Sequence, residues 1–209
     1  SAGAIVAVAL ACGLSEASVV ASMQALVEDV RGGKAKDVAL REQLDLLLDD
    51  ESHLVAMASR LTLSYCEVWP RQVRHSVSSW SSKEDLIDVT SASCNWPIYY
   101  TGGWPLVKCR GAWAVDGFFA VDLARFGCPV LPAQRTVAVT CLPTVDLTRA
   151  FAPSDIIQPG SSAAMGLPVR SSASVWSDEV TAAEWFTWAV APATDEQLKE
   201  MVGLGKQHA

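Results

Sequence analysis

Two stretches of this chain carry residue types and spacings suited to hydrolytic chemistry. The first is Ser1-Ala-Gly-Ala-Ile-Val-Ala-Val-Ala-Leu-Ala-Cys-Gly13. A serine nucleophile must be open to substrate on one side and to a proton acceptor on the other, which requires a sharp turn among residues without bulk. Ala2, Gly3 and Ala4 lack that bulk. A helix directly behind Ser1 would aim its N-terminal amides and positive dipole end at the point where an oxyanion forms during acyl transfer. The second stretch is Gly111-Ala-Trp-Ala-Val-Asp-Gly117. An aspartate after an apolar strand and immediately before a glycine predicts a carboxylate exposed at a strand end, where open α/β sheets bind ligands.

Other readings of these residues stay open. The apolar run Ala4 to Ala11 has no Lys or Arg before it and is far shorter than a membrane span, which counts against a signal peptide. It also fits a purely structural helix, or an N-terminal-nucleophile hydrolase in which the Ser1 amine is the base, although that arrangement usually wants a strand. A Ser-Asp-His triad requires His53, His75 or His208, and His208 alone has the right order. The cluster Asp49-Asp50-Glu51 reads as a solvated helix junction, and no metal site is expected.

The elements that must position these residues follow from composition and periodicity. The chain has 209 residues, 50% of them hydrophobic and 19% charged, with a mean hydropathy of +0.23. It can bury a core and has no run approaching a membrane-spanning length. A formal charge of −7 and a pI near 4.9 argue against nucleic acid and against electrostatic adsorption to anionic lipid, so any lipid contact should be apolar. Six scattered cysteines without metal spacing read as reduced core residues, favouring an intracellular setting.

Helices are expected from Ser15 to Arg31, from Asp37 through Leu48, in a short segment to Met57, and from about Lys83 to Cys94 behind a capping box at Ser81-Ser-Lys-Glu84. Val19, Val20, Met23, Leu26, Val27 and Val30 predict ordinary core packing for the first of these. Period-two patterns at 61–65 and 73–77 predict two strands joined around Trp69-Pro70-Arg71 near a sheet edge. A further strand is expected over 136–142 with Val137, Val139 and Cys141 alternating. Residues 151–175 read as loop or linker, followed by helices at 177–190 and 194–203. The loop from Asn95 to Pro105 carries Trp96, Tyr99, Tyr100 and Trp104, and reads either as a loop that plugs its own aromatics into the core or as an apolar lip for a substrate chain.

Ser1-Ala-Gly-Ala-Ile-Val-Ala, Ser82-Lys-Glu-Asp-Leu-Ile-Asp88 leading to Ser93-Cys-Asn-Trp-Pro-Ile-Tyr99, and Val115-Asp-Gly117 together resemble the patatin-like phospholipase family. Within it the chain looks most like the adipose triglyceride lipase and adiponutrin branch, and Thr136 to Pro143 and Ser154 to Ile157 are also similar. The resemblance implies a three-layer α/β/α fold with a mostly parallel central sheet, an acylhydrolase domain over 1–160, a linker at 161–175 and C-terminal helices at 176–209. It further implies a Ser-Asp dyad, with Ser1 as nucleophile and Asp116 as base, supported by Ala2, Gly3 and Gly117 and acting on glycerolipid esters without a metal or organic cofactor. The expected setting is a membrane or lipid-droplet surface, with room for a protein co-activator. Phe118-Phe119 stand where the family usually has a small residue, so the ring of Phe118 narrows the pocket or marks a non-catalytic, lipid-binding relative. The family's upstream strand and glycine-rich oxyanion loop are not in the sequence, which is expected to be a fragment.

Overall fold

The computed structural model describes residues 2–97, 104–140, 147–157 and 194–196. Helices α1 (Ala2–Ala11), α2 (Glu16–Arg31), α3 (Lys36–Leu47) and α4 (Ser52–Ala58) precede the strands β1 (Leu63–Trp69) and β2 (Val73–Val77). Helix α5 (Lys83–Cys94) leads to the strands β3 (Val107–Cys109) and β4 (Ala112–Val115).

The helices begin and end where local chemistry directs. The Ser15 side chain accepts the Ser18 amide at 3.1 Å to start α2, and Gly33, at φ +92, closes it. The cap of α5 lies one residue later than the sequence pattern suggested. Ser82 Oγ accepts the Asp85 amide at 3.2 Å, and Asp85 Oδ2 accepts the Ser81 amide at 2.9 Å. Ser82 is thus the N-cap, Asp85 reaches back to the residue before it, and the same carboxylate also accepts from Arg110.

Helix α2 corrects the expectation of ordinary core packing. None of its residues is fully buried, and it lies along α3 with Met23 exposed. The core instead comes from Val8 of α1, Leu40 and Leu44 of α3, and Leu86, Ile87 and Val89 of α5. On its outer side α5 is tied to α3 by Arg41, which pairs with Asp88 at 2.6 Å and with Glu84.

The four-stranded sheet has the order β2-β1-β4-β3 and is antiparallel at every pairing. This corrects the expectation of a mostly parallel central sheet among the described residues. The reason is connection length: β1 and β2 are joined through Pro70, Arg71 and Gln72, and β3 and β4 by Arg110 and Gly111 alone. Arg110 and Gly111 both have positive φ, 50° and 83°. That is the two-residue hairpin geometry whose twist matches antiparallel strands, whereas parallel strands need a long crossover.

One sheet face, bearing Leu63, Tyr65, Cys109 and Ala114, packs on the helices. The other carries a smaller cluster of Cys66, Val115 and Ala120, covered by a 3-10 turn over Gly117–Ala120. The described residues thus build a mixed α/β unit.

A separate small cluster joins Ala138, Leu147, Phe151 and Ile156. There the strands β5 (Ala138–Val139) and β6 (Ile156–Ile157) pair in parallel, behind a 3-10 turn at Pro153–Asp155. The expected 136–142 strand is therefore short where described, and its faces are reversed. Ala138 points inward while Val137 and Val139 are exposed, since alternation fixes the period of a strand but not which side is buried. The ordered pairing of Ile156 and Ile157 also corrects the reading of 151–157 as loop. The linker at 161–175 and the helix at 177–190 lie outside the described residues, as does most of the helix expected over 194–203.

Candidate active site

Asp116 follows the last residue of β4 and caps the 3-10 turn. Its amide donates to the Asn95 carbonyl oxygen at 2.9 Å, and its Oδ1 accepts the Phe118 amide at 2.7 Å. The position at a strand end agrees with the sequence pattern, but the expected exposure does not: Asp116 is 2% exposed. The turn folds back over the carboxylate and the end of α5 closes on it. A buried carboxylate is tolerable when it accepts hydrogen bonds of this kind.

Gly117 makes the fold-back possible. A Cβ there would lie 2.2 Å from the Ser64 carbonyl oxygen and 3.1 Å from Ser93 Oγ. Only glycine lets the turn lie flat against β1. Asn95, 1% exposed, ties the neighbourhood together: its Nδ2 donates to the Pro105 oxygen at 3.1 Å and to the Ala114 oxygen at 3.4 Å. One residue at the end of α5 therefore holds the backbone before β3, at the end of β4 and at the candidate base itself.

Cys94, next in the chain before Asn95, connects this site to α1. Burial pushes its thiol up to about 11, and the Asp116 carboxylate adds to the shift; the Ile5 amide, in the first turn of α1, lies against the sulfur and opposes it. The first turn of α1, the end of α5 and Asp116 thus converge. Ala2 and Gly3 form that first turn, as expected. Ser1 lies outside the described residues, and so do Tyr99 and Tyr100.

The aromatic residues divide into two groups. Trp96 packs on Phe118 and Phe119, with ring centroids 5.3 Å away in each case, and Phe118 meets Phe126 edge-on at 5.1 Å. This group stands over the Asp116 turn. Trp104 belongs elsewhere, edge-on to Trp113 at 6.0 Å.

The described histidines are engaged away from Asp116. His53 Nδ1 lies 2.9 Å from the Asp50 carbonyl oxygen. His75 Nε2 lies 3.0 Å from Glu67 Oε2, with its ring stacked on Tyr65. His208 is outside the described residues. Among the described residues, no three His, Cys, Asp or Glu side chains are grouped to hold a metal, and no helix is long and apolar enough to cross a membrane. Five described cysteines are free thiols.

Sequence reasoning did not single out Ser64, Ser93, Asn95 or Phe126 as parts of this neighbourhood. Asn95 carried the one readable signal, a polar residue at a helix end directly before Trp-Pro; the others meet Asp116 and its turn only through the tertiary fold.

No protein-family model and no solved structure matches the chain. Over 101 residues, 48% of this chain, it is 38% identical to a protein from Homo sapiens, patatin-like phospholipase domain-containing protein 4. The chain matches 36% of that relative's length. The likeness supports a relationship to the patatin-like family, without singling out a branch within it.

Proposed function

We propose that the chain is part of a patatin-like serine acylhydrolase, of the adipose triglyceride lipase and adiponutrin branch and the three-layer fold, that cleaves carboxylic esters of glycerolipids. Ser1 Oγ attacks the ester carbonyl as Asp116 accepts its proton, giving a tetrahedral oxyanion. Collapse of that intermediate expels the alcohol, which takes a proton back, and leaves an acyl-serine. Water, deprotonated by Asp116, then attacks the acyl carbon, and the bond to Ser1 Oγ breaks as Asp116 returns the proton to that oxygen, releasing the fatty acid. Amides at the start of α1 favour the oxyanion.

The observation that carries this reading is the buried, hydrogen-bonded Asp116 beside Cys94, which itself lies against the first turn of α1. The likeness to a protein named as a phospholipase points to the same substrate class. The setting we propose is intracellular, peripheral on a membrane or lipid droplet, with no cofactor.

The test is turnover of a short-chain nitrophenyl ester by the full-length protein. Ser1→Ala and Asp116→Asn should each lower it by at least about a hundredfold with folding retained. Near-normal turnover of either folded variant would overturn the dyad. A second reading, a non-catalytic lipid-binding relative, draws on the packing of Phe118 between Trp96 and Phe126 over the Asp116 turn. It expects lipid binding in the wild-type protein and no ester turnover.

A further inference from the structure

We propose that the open part of the second sheet face is a docking surface for the headgroup zone of a phospholipid bilayer. Trp69 of β1 pairs with Trp113 of β4 just past a bulge that shifts the β1–β4 register, and Trp113 pairs with Lys108 of β3; paired residues project from the same face. Trp104 packs edge-on to Trp113, and Lys108 Nζ lies 5.4 Å from the Trp113 ring centroid. Trp69 is 65% exposed and Trp104 59%. Arg71, two residues beyond Trp69 at the hairpin tip, is exposed as well.

The charges on this face single out the occupant. Neither Arg71 nor Lys108 has an ion pair among the described residues, while Asp122, the exposed acid after the 3-10 turn, is held by Arg74 at 3.2 Å. Among the described residues, the charged groups on and beside this face that lack an ion pair, Lys108 and Arg71, are therefore positive on a chain with a formal charge of −7. Net charge sums over the whole molecule, but adsorption acts within about a Debye length, roughly 10 Å at ordinary salt. The proposal departs from the sequence-based expectation that any lipid contact is apolar.

Exposed indoles beside lysine and arginine suit a bilayer interface. The ring settles at headgroup depth with its N–H towards water, and the basic groups reach lipid phosphates. Choosing a bilayer over a protein partner rests on the acylhydrolase reading, whose substrate lies in such a surface. The face is also joined to the site: Trp104 precedes Pro105, whose carbonyl is held by Asn95, whose own carbonyl holds the Asp116 amide.

The test is flotation of the purified full-length protein with vesicles of phosphatidylcholine containing roughly one quarter phosphatidylserine. Wild type should float with the vesicles. Trp69→Ala combined with Lys108→Glu should lower the partition coefficient at least about tenfold with unchanged circular dichroism, and about 0.5 M salt should weaken wild-type binding. Should the double variant fail to fold, Arg71→Glu at the exposed turn together with the salt series carries the test. The proposal is overturned if wild type stays with the free protein, or if partition ignores both salt and substitution. It is overturned too if light scattering shows a dimer that Trp69→Ala dissolves, which would make the face a protein interface. Partition is read without hydrolysis. Binding with no ester turnover would sink the dyad and spare the surface, and turnover of a soluble ester without binding would do the reverse.

Discussion

Gly117 and Ser64 approach so closely that a methyl group on the glycine would stand 2.2 Å from the serine's carbonyl oxygen. The obstructing atom is backbone in β1, which at this point is paired with Ser76 of β2, so it cannot swing aside as a side-chain tip would. Gly117→Ala should therefore destabilise the fold by about 1–3 kcal/mol, the usual cost of overpacking, and lift the turn that holds Asp116. Thermal unfolding of the variant checks this; an unchanged midpoint would show that the turn has slack.

Asn95 makes a second prediction. Replacing it with alanine removes both Nδ2 bonds and leaves the Pro105 and Ala114 carbonyls without that donor, a loss on the order of 1–3 kcal/mol. Urea unfolding should show a lower midpoint. No change would mean that β4 and the following turn are held by packing alone.

Acid sensitivity should trace to Asp85. Burial opposes its charge, but Arg110, at 2.8 Å through both Nε and Nη2, and the Ser81 amide outweigh that, holding the carboxyl below its ordinary range. A depressed folded-state value gives stability that is present above the unfolded value and is lost as pH falls through the folded one. The gap in melting temperature between wild type and Asp85→Asn should thus be full at neutral pH and close as pH drops below about 4. A gap independent of pH would contradict the assignment.

Replacing His53, His75 and His208 together should leave most ester turnover intact. The two described rings are engaged by Asp50 and Glu67. Loss of turnover in a triple variant that still melts cooperatively would favour a Ser-Asp-His triad.

Chain-length preference should follow Trp96, which touches Phe118 over the Asp116 turn, whereas Trp104 lies against Trp113. Trp96→Ala should lower the ratio of long-chain to short-chain ester turnover about tenfold, the scale for losing apolar contact with an acyl chain. An equal fall on both esters would assign the tryptophan a structural role.

Much of this was legible in the sequence because it rests on local signals. The cap of Ser15, the Ser-rich start of α5 (to within one residue) and the apolar run before Asp116 each predict their element from neighbours in the chain. What the sequence concealed depends on partners far along it. Burial of Asp116 needs Asn95 and the fold-back over Ser64. The antiparallel sheet hinges on Arg110 accepting a left-handed conformation, a position where glycine or asparagine would have announced the hairpin. The inward face of β5 was misread because two valines outweigh one alanine in a pattern, while the space beside Phe151 and Ile156 takes the alanine.

The small cluster around Ala138 and Ile156 has few strand bonds of its own, and one of its flanking rings, Phe126, meets Phe118 beside the candidate base. In hydrogen exchange, the amide of Thr140, bonded to the Ile157 oxygen, should lose its proton well before those of β1, because this patch can open while the main core stays shut. Each opening would also withdraw Phe126 from Phe118, so the shape of the aromatic wall would fluctuate with this small patch.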